Sequence, residues 1–275
     1  AGSSFSEMVG GMGYFFMIAL PVTALFGLLI IPDNQKTEGT SFPKLSDLPL
    51  ILKDNRPLVR TLLIEFLCSS ASSISAVTYI YLAKYVFDLE DISSRILFLY
   101  FFAGLLVMPI WMKVSYLIGK SRTLLISTIL CSLTLATYLF IDTNDALSTL
   151  ITLTIFYGIG YGAPFTLTRA LMADIVDADE LRSDKKRPGL FYSILTTFSK
   201  VGAAIAVGLV YTYLEFKGFK PDQIASDKIK EILLFVFAFI PMILYFCATL
   251  FCIGYELTSE KHKEIQKKLE LKNVN

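Results

Sequence analysis

The chain has 275 residues, 54% of them hydrophobic and 18% charged, with a formal net charge of +1 and a mean hydropathy of +0.60. The apolar residues come in long blocks, which argues against a soluble domain and for an integral membrane protein in a lipid bilayer. The near-neutral charge gives no ground for a nucleic-acid partner, and one histidine (His262) with four scattered cysteines (Cys68, Cys131, Cys247, Cys252) argues against a His-based hydrolase, a metal site or any bound cofactor.

A membrane span needs about 20 largely apolar residues, and lipid leaves a helix as the way for an open segment to satisfy its backbone. The first such block covers 12–31, within a first segment 1–33. It has no three-part signal peptide before it, and the chain opens on Ala1 rather than Met, so a fragment of a longer protein is expected. Residues 34–57 are polar and contain the short amphipathic piece "LSDLPLILKD". This reads as a cytoplasmic linker carrying a membrane-surface helix. Six further spans are predicted at about 58–86, 95–115, 122–141, 147–172, 189–214 and 231–255, so that 58–255 forms a six-helix transmembrane bundle. Residues 256–275 are a charged cytoplasmic tail, read as a short charged helix or a disordered end, with a solvated terminus as the default and an interaction role as the alternative.

The loops alternate in charge. One set carries Lys36, Lys44, Lys53, Arg56 and Arg60, then Lys113, Lys120 and Arg122, then Arg182, Lys185, Lys186 and Arg187, then the lysines of the tail. The opposite set reads "FDLEDISS", "IDTNDA" and "FKGFKPDQIASDKIKE"; only the last holds lysines. Basic loops stay in the cytoplasm, so the chain is expected to start outside and to end with a cytoplasmic C-terminus.

Several residues inside the spans call for a reason. Glu65 lies roughly 10 Å into the second span. It reads either as an intramembrane proton site or as a carboxylate in cytoplasmic water near the helix end. Trp111 and Tyr116 read as interface anchors. Gly158 and Gly162 form a small-residue packing pair, and Pro164 can bend the helix that carries them. Phe165 follows. Arg169, Asp174, Asp177, Asp179 and Glu180 then face the basic run Lys185–Arg187. These charges read either as a solvated loop or as a cytoplasmic ion-pair gate made by Arg169, Asp174, Asp177 and Lys186.

Lys200 stands in the middle of "LFYSILTTFSKVGAAIAVGL", roughly 16 Å from the start of its helix. A charge at that depth costs about 2.5–3.5 kcal/mol on insertion scales, so such a residue faces a watery cavity or a partner. Thr196 and Tyr192 share its helical face one and two turns earlier. The stripe reads as a transport path, and the alternative is a lysine tethering two helices through carbonyls.

The segment "LMADIVDADELRSDKKRPGLFYSILTTFSKVGAA" resembles the stretch between the tenth and eleventh helices of the glycoside–pentoside–hexuronide:cation symporters, a branch of the major facilitator superfamily that includes melibiose permease. "FLYFFAGLLVMPIWMKVSYLIGKSRTL" is similar to the turn between helices eight and nine, and "KDNRPLVRTLL" to the entry of helix seven. The resemblance implies an all-α membrane protein: the C-terminal six-helix bundle of a major facilitator fold plus one preceding helix, with the N-terminal bundle missing. It implies alternating access, a small-molecule solute and a coupling ion, Na⁺ or H⁺. By the same resemblance Lys200 lies at the sugar and cation sites, Thr196 and Phe165 line the sugar pocket, and Asp174 and Lys186 are gating positions. Arg169 and Glu65 match no charge of the pattern and point to a different substrate or coupling scheme. The function expected is cation-coupled sugar or glycoside symport in a plasma membrane, the bacterial inner membrane. The alternatives are a lysophospholipid carrier of the same superfamily, a receptor or sensor that binds without transporting, and an inactive fragment. No nucleophile–base pair or metal cluster in the spans suggests an enzyme.

Overall fold

The computed structural model describes residues 5–30, 48–53, 55–140, 146–221 and 226–274. All regular structure among them is helical: α1 (Phe5–Ile30), α2 (Leu48–Lys53), α3 (Arg56–Tyr81), α4 (Glu90–Ile118), α5 (Lys120–Tyr138), α6 (Ala146–Ser183), α7 (Pro188–Phe216), α8 (Asp227–Leu234), α9 (Ile240–Cys252) and α10 (Ser259–Val274). α3 continues through one turn of π-helix, Leu82–Val86, and a second π turn, Phe235–Phe239, joins α8 to α9.

The chain divides into two compact units, Ala1–Ser41 and Phe42–Asn275. The first contains α1, which leaves Phe15, Phe16, Met17, Leu28 and Leu29 exposed, a surface suited to lipid. Residues 31–47, which include most of the expected linker 34–57, lie outside the described residues; in the rest of the linker the six-residue α2 is seen, and Ile51 is buried against the core of the second unit.

In the second unit, α3, α6, α5 and α9 pack in a closed ring, each against the next; α4 lies against α6, and α7 lies against α3. Glycines allow close approaches at two of these contacts. A Cβ on Gly158 would stand 2.4 Å from the Tyr100 carbonyl oxygen of α4, and one on Gly162 would stand 2.6 Å from that of Gly104. Between α3 and α7, a Cβ on Gly202 would meet the Phe66 carbonyl at 2.8 Å. The small residues read from the sequence as a packing surface therefore bring backbones together. α4 turns into α5 through a single residue, Gly119, at φ +94°, where an L side chain would be strained. That tight reversal aims the next residue, Lys120, at the end of α6.

Among the described residues, six stretches are long and apolar enough to cross a membrane: Gly13–Ile30, Arg56–Val86, Glu90–Ile118, Leu147–Ser183, Pro188–Phe216 and Asp227–Cys252. Seven are predicted from the sequence, and α5 is the difference. It is a helix at the expected place, but it has 19 residues and Ser or Thr at positions 121, 123, 127, 128, 132, 134 and 137. Most of its hydroxyls, those of Thr123, Ser127, Thr128, Ser132 and Thr134, are sheltered by the bundle instead of facing lipid. Thr123, Ser127 and Thr128 are fully buried. Ser132 Oγ donates to the Met242 carbonyl at 3.1 Å, and Thr249 Oγ1 donates to Thr128 Oγ1 at 2.9 Å, both crossing between α5 and α9.

Two further expectations are corrected. Trp111 is not an interface anchor: it is buried, and its indole N–H donates to the Ile159 carbonyl of α6 at 2.8 Å. The tail is not a free terminus. It forms α10, which packs on α6 and seats Ile265 against the core.

Candidate functional site

α3, α6, α7 and α9 enclose a cavity of about 200 Å³. α3 lines it with Glu65, Ser69 and Ser72, α6 with Tyr161, Pro164 and Phe165, α7 with Ser199 and Lys200, and α9 with Tyr245. The volume is below the ~300–1,000 Å³ of typical small-molecule pockets.

Glu65 is 4% exposed. Thr168 Oγ1 donates to its Oε2 at 2.6 Å, and its Oε1 stands 3.8 Å from an Arg169 guanidinium nitrogen. A carboxylate is expensive to bury unless paired and hydrogen-bonded, and these two neighbours supply both. The alternative of a carboxylate in open water does not describe this setting. The Arg169 guanidinium lies 3.7 Å over the Phe165 ring and donates to the Phe165 carbonyl at 2.7 Å. Residues 165 and 169 are one helical turn apart, which makes this stacking possible. Phe165 is 50% exposed.

Lys200 is exposed, as are Tyr192, Thr196 and Thr197 of the same stripe, whereas Phe191, Leu195 and Gly202 turn inward. The polar stripe and Gly202 thus occupy different faces of α7. Lys200 has no carboxylate partner among the described residues. Tyr192 donates its hydroxyl to the Arg169 carbonyl at 3.2 Å, tying α7 to α6, and Thr196 Oγ1 donates to the Tyr192 carbonyl at 2.8 Å. The Lys200 stripe, Phe165, Arg169 and Glu65 therefore belong to one connected region.

A second charged cluster lies at the end of α6. This helix has 38 residues, roughly 57 Å, nearly twice the ~30 Å hydrocarbon core of a bilayer. Its apolar stretch ends near Met172, and its last turns carry the acidic run beyond it. Asp174 is 3% exposed and accepts from Lys120 Nζ at 2.5 Å. His262 of α10 places Nδ1 3.3 Å from Asp174 and Nε2 2.8 Å from Asp177. Asp179 takes a two-point bond from Arg187, at 2.7 and 2.9 Å. Lys186 pairs with Glu180 at 3.3 Å, and Lys272 of α10 with Asp184.

Of the four expected gate residues, Asp174 and Asp177 share this cluster. Lys186 sits on its exposed rim with Glu180, and Arg169 is not in it: that residue belongs to the cavity network with Glu65. The partners of Asp174 are Lys120 and His262, which sequence reasoning missed. The "GK.R" turn gave a signal for Lys120. Nothing in the polar pattern of the tail singled out His262.

Residues 7–259 match the family of MFS/sugar transport proteins. The chain belongs to that family. Its relatives include an uncharacterized symporter of Synechocystis, 31% identical over 132 residues, covering 46% of this chain and 24% of that protein. A glucuronide carrier protein homolog of Escherichia coli is 26% identical over 269 residues, 96% of this chain and 58% of the relative. A putative glycoside/cation symporter of Escherichia coli is 21% identical over 273 residues, again 96% and 58%. The chain thus spans from about a quarter to under two thirds of the length of these relatives. As a member of this family with six helices apolar and long enough to span, it is an integral membrane protein. The resemblance of the α6–α7 segment to glycoside–pentoside–hexuronide:cation symporters agrees with both the family and the relatives' names.

Proposed function

We propose that this chain is the rear part of a secondary transporter that carries a sugar or glycoside together with a cation by alternating access. The observation that carries the reading is the exposed polar face of α7: Lys200 lines a partial cavity, and Tyr192 and Thr196 share its face, on a helix otherwise suited to lipid. A bare ammonium group at that depth fits a site completed by a further helical bundle, whose acids balance its charge. Phe165 offers the apolar face on which a sugar ring stacks. The basic loops support a cytoplasmic C-terminus in a bacterial inner membrane, and the Asp174 cluster is then the cytoplasmic closure.

The test is uptake of labelled glycosides by cells expressing the complete gene product, with and without ionophores. Wild-type protein concentrates the solute, and dissipating the Na⁺ or the proton gradient identifies the ion. Lys200→Ala abolishes concentrative uptake while the protein still inserts. Retained concentrative uptake by that variant refutes the role of Lys200. Saturable solute binding without net flux in vesicles refutes transport and leaves a receptor.

A further inference from the structure

The last span is broken one helical turn from the cavity. In a regular helix the Phe237 carbonyl accepts from the amide of residue 241. Here that residue is Pro241, which has no N–H and whose ring crowds the carbonyl four residues before it. The chain widens there into the π turn Phe235–Phe239, which separates α8 from α9. A donor on another helix meets the carbonyl. Ser75 Oγ of α3 donates to Phe237 at 3.5 Å, a long bond, and itself accepts from the Tyr157 hydroxyl of α6 at 3.1 Å. The packing around this contact is incomplete. A small cavity of about 10 Å³ adjoins Phe237 and is lined also by Ser75, Tyr79 and Tyr157. The Tyr79 hydroxyl is buried near Thr154 but makes no hydrogen bond. A void and an unpaired hydroxyl both forfeit stabilisation. Three helices also place a lining residue of the larger cavity about one turn from the contact: Ser72 beside Ser75 on α3, Tyr161 beside Tyr157 on α6, and Tyr245 beside Pro241 on α9.

We propose that Phe237 and Pro241 form a joint about which α8 moves separately from α9, and that the Ser75 hydroxyl is the contact that holds the joint closed. The long bond and the adjoining void make that contact easy to open, while α9 keeps its packing on α3 and α5. α8 lies at the end of the bundle opposite the Asp174 cluster and packs on the π turn Leu82–Val86, so movement at the joint reaches the end of α3 as well. A transporter needs one end of its bundle to rearrange while the walls of its cavity hold together. That use rests on the transport reading above; the joint itself does not.

The experiment is amide hydrogen exchange of the purified complete gene product, followed in α8 over residues 228–234, with α5 and α6 as the control for folding. Ser75→Ala speeds exchange in α8 by about tenfold or more, and Ser75→Thr, which keeps the hydroxyl, does not. Pro241→Ala supplies the missing amide donor and slows exchange in α8. In that background Ser75→Ala has no further effect on α8, because the Phe237 carbonyl no longer depends on the hydroxyl. Ser75→Ala removes the acceptor of Tyr157 in both backgrounds alike, so a difference between them belongs to the joint. The same acceleration in both backgrounds, or none in either, overturns the proposal. If Ser75→Ala also strips protection from α5 and α6, the comparison moves to Pro241→Ala alone, where unchanged exchange in α8 overturns it. No solute is added, so a failure of the glycoside reading leaves these outcomes as they are.

Discussion

At the end of α6, Asp174 is 3% exposed and holds Lys120 at 2.5 Å; five residues earlier on the same helix, Arg169 stands 3.8 Å from Glu65 and remains a third exposed. Both are acid–base pairs bridging α6 to another element, and both contain a deeply buried carboxylate. They differ in how the remaining valences are used. Asp174 is enclosed by two cationic or hydrogen-bonding partners from two other segments, Lys120 and His262, and the Lys120 ammonium also donates to the Ala170 carbonyl at 3.1 Å. Glu65 is satisfied by a neutral hydroxyl, and its arginine is steadied by an aromatic ring and a carbonyl. The first arrangement resists the removal of any member. The second lets the acid and the base separate without leaving either unsupported.

The sharpest way to break the contrast is Asp174→Asn. It leaves the Lys120 ammonium against a neutral group in a buried setting, which costs about 3–5 kcal/mol. The midpoint of thermal unfolding in detergent is expected to fall by on the order of 10 °C. A drop of only a degree or two would show that Asp174 is no better held than Glu65.

His262→Ala is expected to cost less, about 1–3 kcal/mol, because it removes one hydrogen bond to a carboxylate, that of Asp177, and a close contact with Asp174, and leaves Lys120 in place. The effect is local. Amide exchange in α10 should speed up by tenfold or more while the core of α3 and α9 stays protected. Uniform loss of protection would mean that α10 is not a separately released element. Beside this cluster, burial pushes the Tyr255 phenol upward, and its hydroxyl is paired with that of Thr61 on α3 at 2.7 Å.

Glu65→Gln sharpens the contrast from the other side. The glutamine carbonyl keeps the Thr168 bond, and Arg169 retains both its stacking on Phe165 and access to water. Stability should change by about 1 kcal/mol or less. A loss comparable to that of Asp174→Asn would mean that the 3.8 Å pair is a structural tie.

Much of the fold was legible because the long apolar blocks set helix number and place almost unaided. The blocks at 189–214 and 231–255 lie within a few residues of α7 and of the α8–α9 span. α5 shows the limit: its Ser and Thr residues lower its hydropathy, and only tertiary burial against α6 and α9 makes them acceptable. The same limit applies to Trp111, since hydropathy says that an indole is amphipathic and cannot say whether lipid headgroups or a neighbouring carbonyl meets its N–H. Within the site, i to i+4 spacing alone puts Tyr192, Thr196 and Lys200 on one face. Pairings between distant segments carried no such signal. Glu65 with Thr168, and Asp174 with Lys120 and His262, are set by which helices pack together, and a single sequence does not state that.

Lys186 provides the weakest and most discriminating comparison. It belongs to the same acidic end of α6 as Lys120, yet its side chain is 67% exposed and its distance to Glu180 is 3.3 Å. Solvent screens such a pair and ordering a long side chain offsets its attraction, so Lys186→Ala should cost about 0–1 kcal/mol and diminish further in high salt. If Lys186 contributes to closure, it does so in a conformation where Glu180 and Lys186 face other partners. The variant would then alter uptake kinetics while leaving the unfolding midpoint unchanged. Measured side by side, Lys120→Ala and Lys186→Ala separate a lysine that holds the bundle together from one that acts only in the proposed transport cycle.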